Sequence, residues 1–111
     1  MIGLILATDM AKHFGELSRF KTRLASNDFA PDAGDKELTL HMIFHLSDIS
    51  NSLKKFEVCQ KWTDLLFNEF FAQGDDERKR GIPISMMMDR TTVNVAKSQK
   101  NFIDFLILPA F

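Results

Sequence analysis

The sequence predicts an all-α fold, a helical array in which apolar residues recur at the spacing of a helix. They return every three or four residues over long segments, whereas no segment of useful length alternates apolar and polar residues as a strand does. The hydrophobic fraction of 45% and the eleven Phe residues among 111 suffice for a packed core and exclude a disordered chain. The length corresponds to one domain or part of one, without internal repeats.

The first predicted helix runs from about residue 2 to residue 25. Its apolar face consists of Leu6, Met10, Phe14 or Leu17, Phe20 and Leu24. In the loop that follows, residues 26–35, Pro31 and Gly34 break regular structure. Asp35 is then predicted to cap a short helix, because its carboxylate can accept the free N–H groups of a first turn.

The short helix is predicted to end near Asp48, and Asn51–Ser52 to cap the longest helix, residues 54–80. Large apolar residues cover most of the circumference of this helix, so we expect it to be central and buried on several sides. These residues are Phe56, Val58, Trp62, Leu65, Leu66, Phe67, Phe70 and Phe71. Basic residues in the last turn, with Gly81 and Pro83 beyond, predict where it stops.

The last part of the chain is predicted to be an apolar loop followed by one more helix. The loop covers residues 82–88, and Asp89 has the position of a cap for the final helix. Apolar and amide side chains at helical spacing define that helix. They are Val95, Gln99, Phe102, Ile103, Leu106 and Ile107.

Charge and apolar length exclude several classes of protein. With 14 basic and 15 acidic residues the formal net charge is −1, and the absence of a basic stripe argues against nucleic acid as a partner. No stretch reaches the roughly 20 apolar residues of a membrane span, and the apolar start lacks the basic residues of a signal peptide. The single cysteine, Cys59, excludes an internal disulfide, and we expect it in the core with Trp62. We therefore expect an intracellular, cytoplasmic protein.

A carboxylate among apolar neighbours makes Asp48 the first candidate site residue. If it were buried without a partner, it would cost on the order of several kcal/mol, which a metal ion or another cation would offset. The alternative is an ordinary helix-end Asp that points to water, and spacing alone favours that alternative. His41 and His45 form a row with Asp48, but no fourth ligand at zinc spacing accompanies them.

Gln99 and Phe102 form the second candidate site. They lie three residues apart and so share one helix face. The Gln99 amide can both donate and accept, as the edge of a nucleobase requires, and the Phe102 ring offers a flat wall. The alternative is an ordinary core Phe beside a surface Gln. The evidence of these two residues alone favours that alternative. The run Met86–Met88 is either adaptable filler or the lining of a pocket for a flat ligand.

Taken together, a series of short segments makes the chain resemble the catalytic domain of class I 3′,5′-cyclic-nucleotide phosphodiesterases. Their order and spacing over nearly the whole chain carry the resemblance. The segments are Leu6-Ala-Thr-Asp-Met-Ala-Lys-His13, His45-Leu-Ser-Asp-Ile-Ser-Asn51, Gln60-Lys-Trp-Thr-Asp64, Glu69-Phe-Phe-Ala-Gln-Gly-Asp75, Gly81-Ile-Pro-Ile-Ser85, Asp89 and Ser98-Gln-Lys-Asn-Phe-Ile-Asp104. The resemblance implies an all-helical, HD-type domain that hydrolyses cAMP or cGMP to the 5′-monophosphate.

The resemblance also implies the cofactors and the roles of single residues. In this family two divalent metals, zinc plus magnesium or manganese, activate a bridging hydroxide that attacks phosphorus. Asp48 corresponds to a ligand of the tightly held metal. Gln99 corresponds to the partner of the purine edge, Phe102 to the ring that stacks on the purine, and Leu66 to the opposite wall. The further substrate-binding positions implied are Asn51, Met87, Met10 and Asp9.

Some of the family's catalytic segments are not found in this sequence. These are the HNxxH and HD segments, which supply the general-acid His and three further metal ligands. We therefore expect residues 1–111 to be a C-terminal part of the catalytic domain, inactive alone, with no catalytic residue of its own. Asn51 directly after Asp-Ile-Ser resembles cAMP-preferring members and favours cAMP over cGMP.

Two alternatives to an enzyme fragment stay open at this point. One is a catalytically inactive purine-nucleotide-binding or regulatory module, and the other is a structural bundle that shares only the packing of the family. For the isolated chain we also expect that the apolar helix at 54–80 leaves a large exposed patch and causes self-association.

Overall fold

The computed structural model describes residues 1–111 and contains helices and turns but no β-strand, which confirms the all-α prediction. The α-helices are α1 Ile2–Leu6, α2 His13–Leu24, α3 Lys36–Asp48, α4 Phe56–Lys79 and α5 Val95–Phe102. Short 3₁₀ turns span Met10–Lys12 and Ser50–Leu53, and a π-helical turn spans Ile103–Ile107. The chain forms two compact units, an N-terminal unit of residues 1–50 and a C-terminal unit of residues 51–109. None of the helices is both long enough and apolar enough to cross a membrane.

The prediction of one continuous helix over residues 2–25 is wrong, because the helix is interrupted between α1 and α2. Asp9 has an extended backbone, with φ −62° and ψ 113°, and its side chain accepts a hydrogen bond from the Ala11 N–H at 2.9 Å. The Thr8 hydroxyl donates to the Ile5 carbonyl at 2.7 Å. Short polar side chains compete with the helix backbone for hydrogen bonds, so these two residues end α1 and begin a new turn.

Helices α2 and α3 pack against each other as an antiparallel hairpin within the N-terminal unit. The buried apolar residues of the two helices include Leu17, Leu38 and Met42. A polar contact joins the chain at each end of this apolar middle. His13 at the start of α2 bonds to His45 near the end of α3, and Arg23 near the end of α2 bonds to Asp35 just before α3.

Asp35 is the N-cap residue of α3, as predicted, but its side chain makes no capping hydrogen bond, because the carboxylate is used inside the preceding loop. Arg23 donates from Nε to Oδ1 and from Nη2 to Oδ2, both at 2.7 Å, and the Ala30 N–H donates to Oδ2 at 3.0 Å. The Arg23 hydrogen bonds, followed by the Ala30 N–H, lower the pKa of Asp35 to about 2 from an ordinary 3.8. The loop is thus anchored to α2 by charge-assisted bonds around a buried carboxylate.

In the C-terminal unit, charged side chains tie the segment between α4 and α5 back onto α4. Arg78 donates to Asp89 at 2.7 Å, and Arg90 donates from Nε to Asp75 at 3.1 Å. Asp89 is therefore not the cap of the final helix, and that prediction is wrong. Asn94 caps α5 instead, because its side chain accepts a backbone N–H of the first turn at 2.9 Å.

Helix α4 has nearly the predicted bounds but is less buried than predicted. Lys55 precedes it without a side-chain cap, so the prediction that Asn51–Ser52 caps it is wrong. The exposed fractions are 76% for Phe56, 57% for Trp62 and 61% for Leu65. Its buried residues are Thr63, Phe67 and Gly74. The expected burial of α4 on several sides, and of Trp62, is thus wrong, because the C-terminal unit covers only part of a helix that is apolar around its circumference.

Candidate functional site

A cavity of about 720 Å³ opens between α4 and α5 in the C-terminal unit. Cys59 and Thr63 line it from α4, and Gln99 and Ile103 line it from α5 and the π-helical turn. Apolar surface with a few polar groups is the composition expected of a small-molecule site. Among the substrate-binding residues predicted from sequence, Gln99 alone lines this cavity.

A hydrogen bond across the cavity orients the Gln99 amide. The Thr63 hydroxyl donates to Gln99 Oε1 at 3.3 Å, and the Thr63 residue is only 8% exposed. The bond leaves Gln99 Nε2 as a donor and the second lone pair of Oε1 as an acceptor for a further partner. Sequence reasoning missed Thr63, for which the only signal was a hydroxyl among the large apolar residues of α4.

Next to the cavity, the Asn51 side chain contacts the thiol of Cys59. Asn51 Nδ2 donates to Cys59 Sγ at 3.8 Å, and Asn51 Oδ1 is buried without a hydrogen-bond partner. A buried acceptor without a donor costs about 1–3 kcal/mol, which a ligand or a water molecule would recover. Cys59 is half-buried in the cavity wall, so its predicted place in the core is wrong.

Phe102 and Leu66 lie on the two helices that form the cavity but outside its lining. Phe102 is half-buried and is the last residue of α5, one helical turn after Gln99. The π-helical turn follows it directly, and the Leu108 N–H donates to the Ile103 carbonyl at 2.9 Å across five residues. Leu66 is 41% exposed, one turn after Thr63 on α4. A π-helical turn frequently accompanies a functional site, because it re-aims side chains within a helix.

Met87 lies in a strained turn of the segment between α4 and α5. Its φ is +69°, a left-handed conformation that is unfavourable for a residue with a side chain. The next residue is pressed against α4, since a Cβ built on Gly74 would lie 1.9 Å from the Met88 carbonyl oxygen. Met87 is thus held in place by its neighbours and is 37% exposed.

The chain as a whole matches one known family. The sequence profile of the 3′5′-cyclic nucleotide phosphodiesterases matches residues 1–111, which is the whole chain. The chain belongs to this family.

Relatives of the chain are phosphodiesterases of several mammals. Dual specificity calcium/calmodulin-dependent 3′,5′-cyclic nucleotide phosphodiesterase 1B of Bos taurus is 41% identical over 111 residues, which are 100% of this chain and 20% of that protein. Dual specificity calcium/calmodulin-dependent 3′,5′-cyclic nucleotide phosphodiesterase 1C of Mus musculus is 40% identical over 111 residues. The match covers 100% of this chain and 15% of that protein. The chain therefore spans about a fifth of the length of the 1B relative.

A solved structure shares the fold of the chain. It is described as the structure of LmjPDEB1 in complex with IBMX, and it superposes with a TM-score of 0.83 at 34% sequence identity. The match covers 95% of this chain and 32% of that chain. The helical fold is thus that of a phosphodiesterase catalytic domain, of which this chain corresponds to a part.

The remaining predicted residues, Asp48, Asp9 and Met10, lie in the N-terminal unit. Asp48 is exposed and is the last residue of α3. Asp9 is exposed and is engaged by the Ala11 N–H, and the following Met10 is 39% exposed. No group of three or more His, Cys, Asp or Glu side chains in the chain could hold a metal ion. The residues present therefore do not form a metal centre by themselves, and Asp48 belongs to no such group.

The row of His41, His45 and Asp48 is not a ligand triad. His41 Nε2 lies 3.7 Å from the Glu37 carboxylate, one turn earlier on α3. His45 Nε2 lies 2.8 Å from His13 Nδ1. Both imidazoles thus have protein partners.

Proposed function

We propose that this chain supplies the purine-recognition part of a 3′,5′-cyclic-nucleotide phosphodiesterase that hydrolyses cAMP and cGMP to the 5′-monophosphate. The match to the family over the whole chain supports the reaction class. The observation that carries the binding role is the Thr63–Gln99 hydrogen bond in the wall of the cavity. It presents one oriented amide beside apolar surface, which suits a flat heterocycle with polar edges.

The Gln99 amide matches the polar edge of either purine. Adenine presents an N–H₂ donor beside a ring-nitrogen acceptor, and guanine presents an N–H donor beside a carbonyl acceptor. With Oε1 accepting and Nε2 donating, one amide satisfies each pair in one of two rotations. Because the Thr63 hydroxyl can donate to Oε1 or accept from Nε2, it supports both rotations. We retain cAMP as the preferred substrate, on the basis of Asn51.

We assign the other predicted residues to the same substrate. Phe102 stacks on the base and Leu66 forms the opposite wall, in keeping with their places on α5 and α4. The buried Asn51 Oδ1 offers the base an acceptor. Met87, Met10 and Asp9 complete the proposed set of contacts. A stack between two rings contributes about 0.5–1.5 kcal/mol, so the clamp adds to the hydrogen bonds without replacing them.

Hydrolysis in this family implies two divalent metals, zinc plus magnesium or manganese, and we propose Asp48 as the one ligand that this chain contributes. The carboxylate ends α3, where the helix carbonyls carry partial negative charge, and a cation beside it would relieve that repulsion. The other ligands and the general acid are proposed to come from the N-terminal part of a catalytic domain. We also propose a cytoplasmic location, which fluorescence microscopy of a tagged protein would test.

Titration of the 111-residue chain with cyclic nucleotide tests the binding role. We expect cAMP and cGMP, added without metal, to shift the NMR signals of the Gln99 side-chain amide and of Thr63. Gln99→Ala should abolish the shift, and Gln73→Ala is the matched control because Gln73 lies on the exposed part of α4, bonded to Glu77. If neither nucleotide shifts the two residues, the binding role is wrong.

A chimera tests the proposed reaction. In it, this chain replaces the matching segment of the Bos taurus 1B relative. We expect the chimera to hydrolyse cyclic nucleotide with zinc and magnesium present, whereas the 111-residue chain alone should not. Asp48→Ala should abolish turnover, and Gln99→Ala should mainly raise KM. Binding by a folded chimera without any hydrolysis would identify an inactive nucleotide-binding module instead.

A further inference from the structure

Two buried histidines join the helices of the N-terminal unit at a place where an apolar pair would be expected. His13 and His45 are 1% and 3% exposed, and His13 Nδ1 lies 2.8 Å from His45 Nε2. The ring centroids are 5.1 Å apart at an interplanar angle of 45°. At this distance one ring nitrogen carries a proton and donates it to the bare nitrogen of the other ring.

The histidine pair contributes little to the free energy of unfolding, so stability does not explain its presence. In either tautomer His45 Nδ1 stays buried without a hydrogen-bond partner. A buried polar pair with an unsatisfied atom is about as stable as, or less stable than, two apolar side chains of the same shape. The bond does fix the relative placement of the two segments that carry the rings, since it forms only when the rings meet at one distance and orientation.

The position of the pair in the chain indicates which segments the bond holds in place. His45 lies one helical turn before Asp48, and its carbonyl accepts the Ile49 N–H at 3.3 Å. His13 directly follows the 3₁₀ turn that Asp9 caps. The bond therefore links the two segments that carry the proposed metal ligand and the proposed ligand-approaching residues.

The two ends of the α2–α3 hairpin are held differently. At the loop end, the chain connection and the Arg23–Asp35 ion pair hold the helices together. At the open end, the His13–His45 side-chain hydrogen bond joins α2 to α3. Loss of this bond should therefore loosen the open end while the loop end stays closed.

We propose that His13 and His45 are positioning residues, whose mutual hydrogen bond sets the placement of Asp48 relative to Asp9 and Met10. This proposal rests on the function proposed above for those residues. It predicts that removal of the bond lowers the rate of hydrolysis more than it lowers stability or nucleotide affinity. A misplacement of about 1 Å at a reacting group is enough for a large loss of rate.

The test compares three variants: His45→Leu, the double variant His13→Leu with His45→Leu, and His45→Gln. The double variant replaces both partners by apolar groups, so we expect its urea midpoint to match the unaltered chain. His45→Leu leaves His13 without this partner and should unfold more easily. The Gln amide nitrogen stands as many bonds from the backbone as His Nε2, so His45→Gln should restore the bond.

Amide hydrogen exchange on the 111-residue chain measures how firmly the two segments are held, and it requires no enzymatic activity. In the double variant we expect exchange of the Ile49 and Lys12 amides to rise about tenfold, with the Ala30 amide at the loop end unchanged. In the chimera we expect kcat to fall about tenfold and KM to change less, because the proposed base contacts of Gln99, Phe102 and Leu66 lie in the C-terminal unit. His45→Gln should recover most of both losses.

Specific outcomes would overturn the proposal. A folded double variant with unchanged exchange at Ile49 and unchanged kcat would show that the pair positions nothing. A uniform rise in exchange at Ile49 and Ala30 together with a lower urea midpoint would assign the pair to stability alone. An unaltered chimera without turnover would refute the proposed function, while the exchange data would still decide the positioning.

Discussion

The tightest backbone contact in the C-terminal unit predicts a large effect from one added methyl group. Gly74 is buried in α4, and a Cβ built on it would lie 1.9 Å from the Met88 carbonyl oxygen and 2.7 Å from its carbon. Both atoms belong to the backbone, so no side-chain rotation relieves the overlap. Gly74→Ala must therefore displace the segment that carries Met87.

The size of the effect follows from two opposing contributions. Non-bonded heavy atoms rest about 3.5 Å apart, so the Met88 carbonyl must move by roughly 1.5 Å. Overpacking of this kind costs about 1–3 kcal/mol, and the move also strains the exposed Arg78–Asp89 pair, worth about 0–1 kcal/mol. Ala exceeds Gly in helix propensity by about 1 kcal/mol, which partly offsets the loss. We expect a net destabilisation of about 1.5 kcal/mol.

Urea denaturation followed by circular dichroism measures this loss. For a small domain the expected change corresponds to a fall of about 1 M in the urea midpoint. The matched control is Gly15→Ala in α2, where a Cβ meets nothing within 4 Å, so only the helix propensity acts and the midpoint should rise. If Gly74→Ala is as stable as the unaltered chain while Gly15→Ala behaves as expected, the steric argument is refuted.

Three further predictions concern pH, association and nucleotide binding. Asp35 has a pKa lowered from 3.8 to about 2, so its stabilising contribution is complete above pH 3.8 and is lost as pH falls towards 2. The urea midpoint of Asp35→Asn should thus approach that of the unaltered chain over this range, and a constant difference would contradict the reasoning. The exposed apolar face of α4 should cause self-association, which Trp62→Glu should reduce in sedimentation velocity, and a monodisperse unaltered chain would refute this. Thr63→Val keeps the shape but removes the hydroxyl that holds the Gln99 amide in either rotation, so calorimetry should show weaker binding of both cAMP and cGMP with little change in the ratio of their affinities. Unchanged affinities would remove Thr63 from the binding argument.

Local chemistry accounts for the parts of the fold that were predicted well. The bounds of α4 follow from its apolar run, its basic last turn and Gly81, which takes the left-handed φ of +69° expected after a helix. Several of the errors concern helix caps. Asp35 stands at the N-cap position, but Arg23 takes its carboxylate. Asp89 stands six residues before the start of α5, and its carboxylate bonds to Arg78. The two parallel bonds from Arg23 to Asp35 are stronger than a single capping bond, and no local pattern reveals which arginine will be near.

The sequence by itself determined the family, the helical fold and the presence of Gln99 and Phe102 on the same helix. Each of these depends on spacing along a single helix or on the order of short segments. Only the tertiary structure decided that Thr63 orients Gln99, that His13 bonds to His45, and that Gly74 lies against Met88. Each of these contacts joins segments far apart in the chain, so its geometry is set by the packing of helices, which periodicity along the sequence does not encode.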